Sequence, residues 1–241
     1  MLKSFFTFLI SIFIMTAAIA QTSKQATALF KKGLEFESKG MKTEAVASFK
    51  KAITLNKKYD TAYLELGMLY AKADKTDSAI MILTNGVNEI PGFSNGFIVM
   101  GDIYRDFTKN IDEAIMSYSN ALKFDTTNKV IYYSLAWCNN AKGYYREAVK
   151  YGVKALEIDN NYKIAYNELG FAYHQLKAYQ ECVDQFKKNL AISANDLPLL
   201  YSGYCYIELK QKENATKNYE DLNKINPKMA EALKKKIDEM P

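Results

Sequence analysis

Histidine is nearly absent from this sequence, with His174 standing alone in 241 residues. A histidine-built zinc or other metal centre therefore cannot be assembled within one chain. Glycine is also sparse at eleven, and the glycines occur singly, so no Gly-rich loop is available to cradle a phosphate. Only three cysteines, Cys138, Cys182 and Cys205, are present, too few for a disulfide scaffold, and they lack metal-ligand and C-x-x-C spacing. Their odd number leaves at least one free thiol unless an intermolecular bridge forms, and all three read as small core residues in helices. No nucleophile motif flanks His174. Acidic neighbours such as Glu35 and Glu37, or Asp112 and Glu113, point in different directions on a helix and read as solvated charges. No catalytic residue, cofactor site or metal site is expected.

Only four prolines interrupt a chain that is 49% hydrophobic and rich in Ala, Leu, Lys, Glu and Tyr. Such a composition supplies a core and suits helices. The formal charge of +5 is spread along the sequence, so no dedicated nucleic-acid surface is expected. At the amino terminus, Lys3 precedes an apolar run from Phe5 to about Ala18, and Ala18 and Ala20 form an A-x-A arrangement before Gln21. This reads as a signal peptide over 1–20 with cleavage after Ala20, because the run falls short of the roughly 20 apolar residues that span a bilayer. The expectation is export to the periplasm or, alternatively, outside the cell, with no stable membrane insertion after cleavage.

The phrase AYLELGMLYAK at 62–72 returns as AYNELGFAYHQ at 165–175. Stepping from Gly67 in both directions finds six small anchors, Gly33, Gly67, Gly101, Ala136, Gly170 and Gly203, separated by 34, 34, 35, 34 and 33 residues. Three positions after each stand Phe36, Tyr70, Tyr104, Asn139, Tyr173 and Tyr206. A second small column follows at Ala45, Ala79, Ala114, Ala148, Cys182 and Ala215, and four residues on come Phe49, Leu83, Tyr118, Gly152, Phe186 and Tyr219. Tyr63, Leu66, Gly67 and Tyr70 lie at i, i+3, i+4 and i+7, one face of a helix, and Ala79, Leu83 and Gly86 repeat that pattern after a short turn. Each unit is thus an antiparallel helix pair. Small residues let the two axes approach, and Asn, Asp or Pro closes every unit and offers a cap to the next.

These columns resemble the tetratricopeptide repeat, with its Leu-Gly-x-x-Tyr, Ala-x-x-x-Phe and closing Pro positions. The resemblance implies an all-α, right-handed alpha-solenoid of about six helix-pair repeats, at 26–59, 60–93, 94–128, 129–162, 163–195 and 196–229, with a C-terminal capping helix at 230–241. The departures are Asn139, Gly152, one extra residue near Phe107 to Asn110 and one missing before Leu199.

In such repeats the first helices line a concave groove, so the resemblance and helical periodicity together select groove positions. The third unit contributes Asp102 and Arg105, with Asp106 beside them. The last three contribute Tyr133, Trp137 and Asn140, then Asn167, Phe171 and His174, then Leu200 and Tyr204. Trp137, Phe171 and Tyr204 form an aromatic stripe that packing between adjacent first helices could also explain. The expected function is a non-enzymatic scaffold binding a protein or peptide partner in the groove. Alternatives are a structural or assembly part of a bacterial envelope complex, or a ligand-binding or catalytic protein centred on His174, Asn140 and Asn167.

Overall fold

The computed structural model describes residues 2–193 and 195–241, with side chains described from residue 20 onward. The signal peptide expected over 1–20 falls almost wholly outside the described side chains. Thirteen α-helices and a π-helical stretch are present among the described residues, without a strand. They fall into two compact units, Met1–Phe124 and Asp125–Pro241.

The first unit contains α1 (Leu2–Ser38), α2 (Lys42–Leu55), α3 (Asp60–Ala71), α4 (Thr76–Glu89), α5 (Ser94–Ile103) and α6 (Ile111–Leu122). The second contains α7 (Lys129–Ala141), α8 (Tyr145–Ile158), α9 (Lys163–Gln175), α10 (Tyr179–Ile192), α11 (Asp196–Glu208), α12 (Lys212–Ile225) and α13 (Pro227–Asp238). Each unit holds three antiparallel pairs. Four of the six pairs close because the large column of the second helix drops onto the small anchor of the first; in the fourth pair that column holds Gly152, and in the last pair Gly203 is met by Leu233 of α13. A β-carbon added at Gly33, Gly101 or Gly170 would stand 2.5–2.6 Å from Phe49, Tyr118 or Phe186 respectively. Those three rings are almost completely buried, and each contributes roughly 1.5–3 kcal/mol of apolar transfer free energy.

The turn within each pair has one residue in the left-handed region: Gly40, Asp74, Lys109, Gly143, Lys177 and Lys210. The turn geometry therefore recurs although glycine supplies it only twice. A left-handed residue after the helix lets the next N–H groups satisfy its last carbonyls, as Met41 N does with Phe36 O at 2.9 Å. The extra residue of the third unit is absorbed by the π-helical stretch Tyr104–Thr108, which widens one turn and delivers Lys109 to the same left-handed role. Asn139, in an otherwise aromatic column, is buried and bonds its own helix, with Nδ2 donating to Leu135 O at 2.7 Å. Gly152, in a column of large residues, is filled from the next pair by Leu169.

In the second unit α9 packs against both α7 and α11, whereas no comparable packing joins α8 to α10 or α10 to α12. The first helices therefore form the inner row. α13 packs against α11 and α12, and its Ala230, Leu233 and Ile237 are buried in a core shared with Phe186, Leu199 and Leu222. It begins at Pro227, ahead of the expected start at 230, because Asn226 caps it by accepting from Met229 N at 3.2 Å and proline suits a helix's first position.

All three cysteines are buried in helices, as expected, and two of them are also bonded to each other. Cys182 and Cys205 are joined in a disulfide between α10 and α11, with Cα atoms 6.6 Å apart, while Cys138 is a buried free thiol. The helix pairing brings together two cysteines 23 residues apart in sequence. Their spacing carried no sign of it.

Candidate functional site

The inner row of the second unit encloses a cleft of about 350 Å³. Its wall is built from Trp137, Asn140 and Ala141 of α7, Asn167, Glu168 and Phe171 of α9, and Leu197 and Tyr201 of α11, with Phe186 of α10 at the back. Residues one helical turn apart share a face, so Trp137 with Asn140 and Asn167 with Phe171 enter the cleft from adjacent helices. The aromatic side chains brace one another. Tyr201 meets Phe171 edge-on at 6.2 Å, stacks on Phe186 at 6.0 Å and meets Tyr204 edge-on at 6.1 Å. Such contacts fix the rings in place before any ligand arrives.

The polar part of the wall is Asn140 and Glu168. Asn140 Nδ2 donates to Glu168 Oε2 at 2.8 Å and to Glu168 O at 3.0 Å, tying α7 to α9. Asn140 is only 7% exposed, and its Oδ1 is buried without a hydrogen-bond partner. Burial pushes the Glu168 carboxyl above the ordinary glutamate range, with the Asn140 hydrogen bond opposing that rise. Asn167 is held by Asn189, whose Nδ2 donates to Asn167 Oδ1 at 2.8 Å and to Lys163 O at 2.7 Å.

Four of the residues selected from the sequence, Trp137, Asn140, Asn167 and Phe171, thus meet in one cleft. The others do not line it. Tyr133 packs edge-on against Tyr162 at 5.8 Å. His174 is half-buried against Tyr179, its Nδ1 lacks a partner, and burial lowers its pKa against the raising effect of Glu208. Tyr204 packs against Tyr201 and the core, and burial raises its hydroxyl pKa. Leu200, expected in the groove, belongs to the core instead at 9% exposure, because α13 packs on α11 and closes over the last pair. Glu168, Leu197 and Tyr201 were missed by the groove offsets. Glu168 and Tyr201 both stand two positions before their small anchors, a column that helical periodicity does not single out.

In the first unit, Asp102, Arg105 and Asp106 pair among themselves. Arg105 forks onto Asp106 with Nε and Nη2 at 2.7 and 2.8 Å, and its Nη2 also reaches Asp102 Oδ1 at 3.2 Å. Tyr118 Oη donates to Asp102 Oδ1 at 2.7 Å. Burial raises the Asp102 pKa, the Arg105 hydrogen bond lowers that of Asp106, and the Asp106 hydrogen bond raises that of Arg105. Among the described residues, no three His, Cys, Asp or Glu side chains gather as metal ligands, and no helix is long and apolar enough to cross a membrane.

Comparison with known proteins agrees with this architecture. A family model described as tetratricopeptide repeat matches residues 26–59 and 130–162, and a second with the same description matches 199–228. Over 85 residues the chain is 33% identical to the protein O-mannosyl-transferase Tmtc3 of Drosophila melanogaster, a match covering 35% of this chain and only 9% of that protein. Among solved structures, PilF of Pseudomonas aeruginosa superposes with a TM-score of 0.72 at 14% identity, covering 89% of this chain and 99% of PilF. YrrB, described as a TPR protein with an unusual peptide-binding site, superposes with a TM-score of 0.67 at 19% identity, covering 78% of this chain and 97% of YrrB.

Proposed function

Because the chain carries tetratricopeptide repeats, we propose that it is a non-enzymatic scaffold whose second unit captures a segment of a protein partner along the inner row α7, α9 and α11. The observation that carries this reading is the cleft built around the molecule's single tryptophan, half-buried rather than consumed by the core. Tryptophan held by neighbouring packing presents a large contact area at little cost in side-chain entropy, which is why it dominates so many interfaces. The peptide-binding site described for YrrB, a protein of similar fold, supports the same use of the repeat. The work done is selective affinity, with Trp137, Phe171 and Tyr201 as the aromatic lining and with Asn140 and Asn167 orienting the ligand backbone.

The scaffold acts after export in this reading, with residues 1–20 removed as a signal peptide and the periplasm as the working compartment. The buried Cys182–Cys205 disulfide supports it, since such bonds persist in oxidising compartments.

The test is crosslinked capture from the native host with the parent chain and with Trp137→Ala. Loss of the central anchor is expected to weaken the partner by about 2 kcal/mol or more, roughly thirtyfold in Kd, while helicity measured by circular dichroism is retained. An unchanged set of captured partners at unchanged affinity would sink the proposal.

A further inference from the structure

The cleft has a chemical polarity that its aromatic lining conceals. Glu168 brings a carboxylate into the wall, and its Oε2 receives Asn140 Nδ2 at 2.8 Å. Among the described residues, no lysine or arginine pairs with this carboxylate. Asn140 has directed its Nδ2 at two oxygens of Glu168, leaving Oδ1 as a buried acceptor without a donor. A buried acceptor left unmet costs about 1–3 kcal/mol, so the missing partner in this wall is a donor. The carboxylate adds a demand for positive charge.

The aromatic walls favour the same visitor. Trp137, Phe171 and Tyr201 line the same cleft as the polar pair, and the faces of such rings attract cations most strongly when water is excluded. An ammonium would satisfy the charge, yet it is a compact and strongly hydrated point. A guanidinium is weakly hydrated, planar enough to stack on a ring, and carries five N–H donors that reach two acceptors at once. An acidic ligand would meet Glu168 directly. The volume of about 350 Å³ is at the small end of ligand sites, suited to one inserted side chain.

We infer that this cleft receives the guanidinium of an arginine side chain carried by the captured segment, with Glu168 and Asn140 Oδ1 as acceptors and Trp137, Phe171 and Tyr201 as stacking walls. The inference rests on the proposal that the inner row captures a protein segment.

The test uses the full chain, with Trp137, the only tryptophan, as the fluorescence reporter. N-acetyl-arginine amide is titrated against its uncharged isostere, N-acetyl-citrulline amide, and random dodecapeptides are selected by display in parallel. The arginine compound is expected to give a saturable Trp137 response, with affinity about tenfold weaker for the citrulline compound and about tenfold weaker for Glu168→Gln, the range for losing one charged hydrogen bond. Selected dodecapeptides should contain arginine and lose about tenfold when citrulline replaces it. They decide the matter if the amide alone is too weak to saturate. Equal affinity for arginine and citrulline, or unchanged affinity in a Glu168→Gln chain of normal helicity, overturns the inference. So does binding of the arginine compound when no dodecapeptide is captured, which would mark a site for a small free guanidinium. Dodecapeptides that are lost with Trp137→Ala but indifferent to arginine overturn only the guanidinium assignment and leave segment capture standing. Failure to select any dodecapeptide, with no response to the arginine compound, removes both.

Discussion

Asn140 grips Glu168 twice, through the carboxylate at 2.8 Å and the main-chain carbonyl at 3.0 Å. The two residues sit on neighbouring helices, so this contact joins α7 to α9 where the cleft opens. It also ties the ionisation of Glu168 to the integrity of the wall.

Stability should accordingly depend on pH through Glu168. Burial raises its folded-state pKa above the unfolded value, so the folded chain holds this proton more tightly than the unfolded chain does. The resulting stabilisation is fully present below the ordinary glutamate range and is lost as pH rises through the raised value. Glu168→Gln, which keeps an acceptor for Asn140, is expected to melt above the parent at neutral and alkaline pH, with the difference shrinking on acidification. Thermal melts of both chains across pH 4–8 check this. A variant melting below the parent at neutral pH would show that the ionised carboxylate is stabilised by something other than its burial.

The disulfide should carry a measurable share of stability. Closing the 23-residue separation between Cys182 and Cys205 restricts the unfolded chain by about 3.5 kcal/mol in the loop-entropy account. The double substitution Cys182→Ala with Cys205→Ala is expected to lose about 2–4 kcal/mol in urea denaturation. Thiol titration should find no reactive group in the native chain, one in denaturant from Cys138, and three after reduction. Two reactive thiols without reductant, beyond Cys138, would mean that the bond does not form.

Leu233 tests the terminal helix. Its side chain is fully buried, and a β-carbon added at Gly203 would meet it at 2.6 Å, so α13 inserts this leucine into the last helix pair. Leu233→Ala should cost about 2–5 kcal/mol through lost transfer energy and an unfilled cavity. Hydrogen exchange should rise first in α11 through α13. An exchange pattern unchanged from the parent would mean that α13 is dispensable to this core.

Much of the architecture was legible because repeat columns are local constraints. Gly170 and Phe186 are readable as a small residue and a large one at fixed offsets, and their contact follows once both segments are helical. Trp137, Asn140, Asn167 and Phe171 could be placed in a common cleft by the same arithmetic. The arithmetic failed where neighbours differ from the average repeat. Leu200 has the groove offset yet lies in the core, since α13 stands where another repeat would continue. Glu168 and Tyr201 were invisible because their importance depends on the side chains facing them from the adjacent helices.

By itself, then, the sequence determined the helix pairs, their period and the small-to-large contacts within four of the six pairs. These depend on spacing along one or two helices, and spacing is written in the chain. Only the tertiary structure decided that Cys182 bonds Cys205, that Asp102, Arg105 and Asp106 satisfy one another, and that Asn140 leaves one acceptor unmet beside Glu168. Those outcomes turn on which atoms from different helices arrive within hydrogen-bonding or bonding distance. That distance is fixed by packing in three dimensions, and no offset along the chain encodes it.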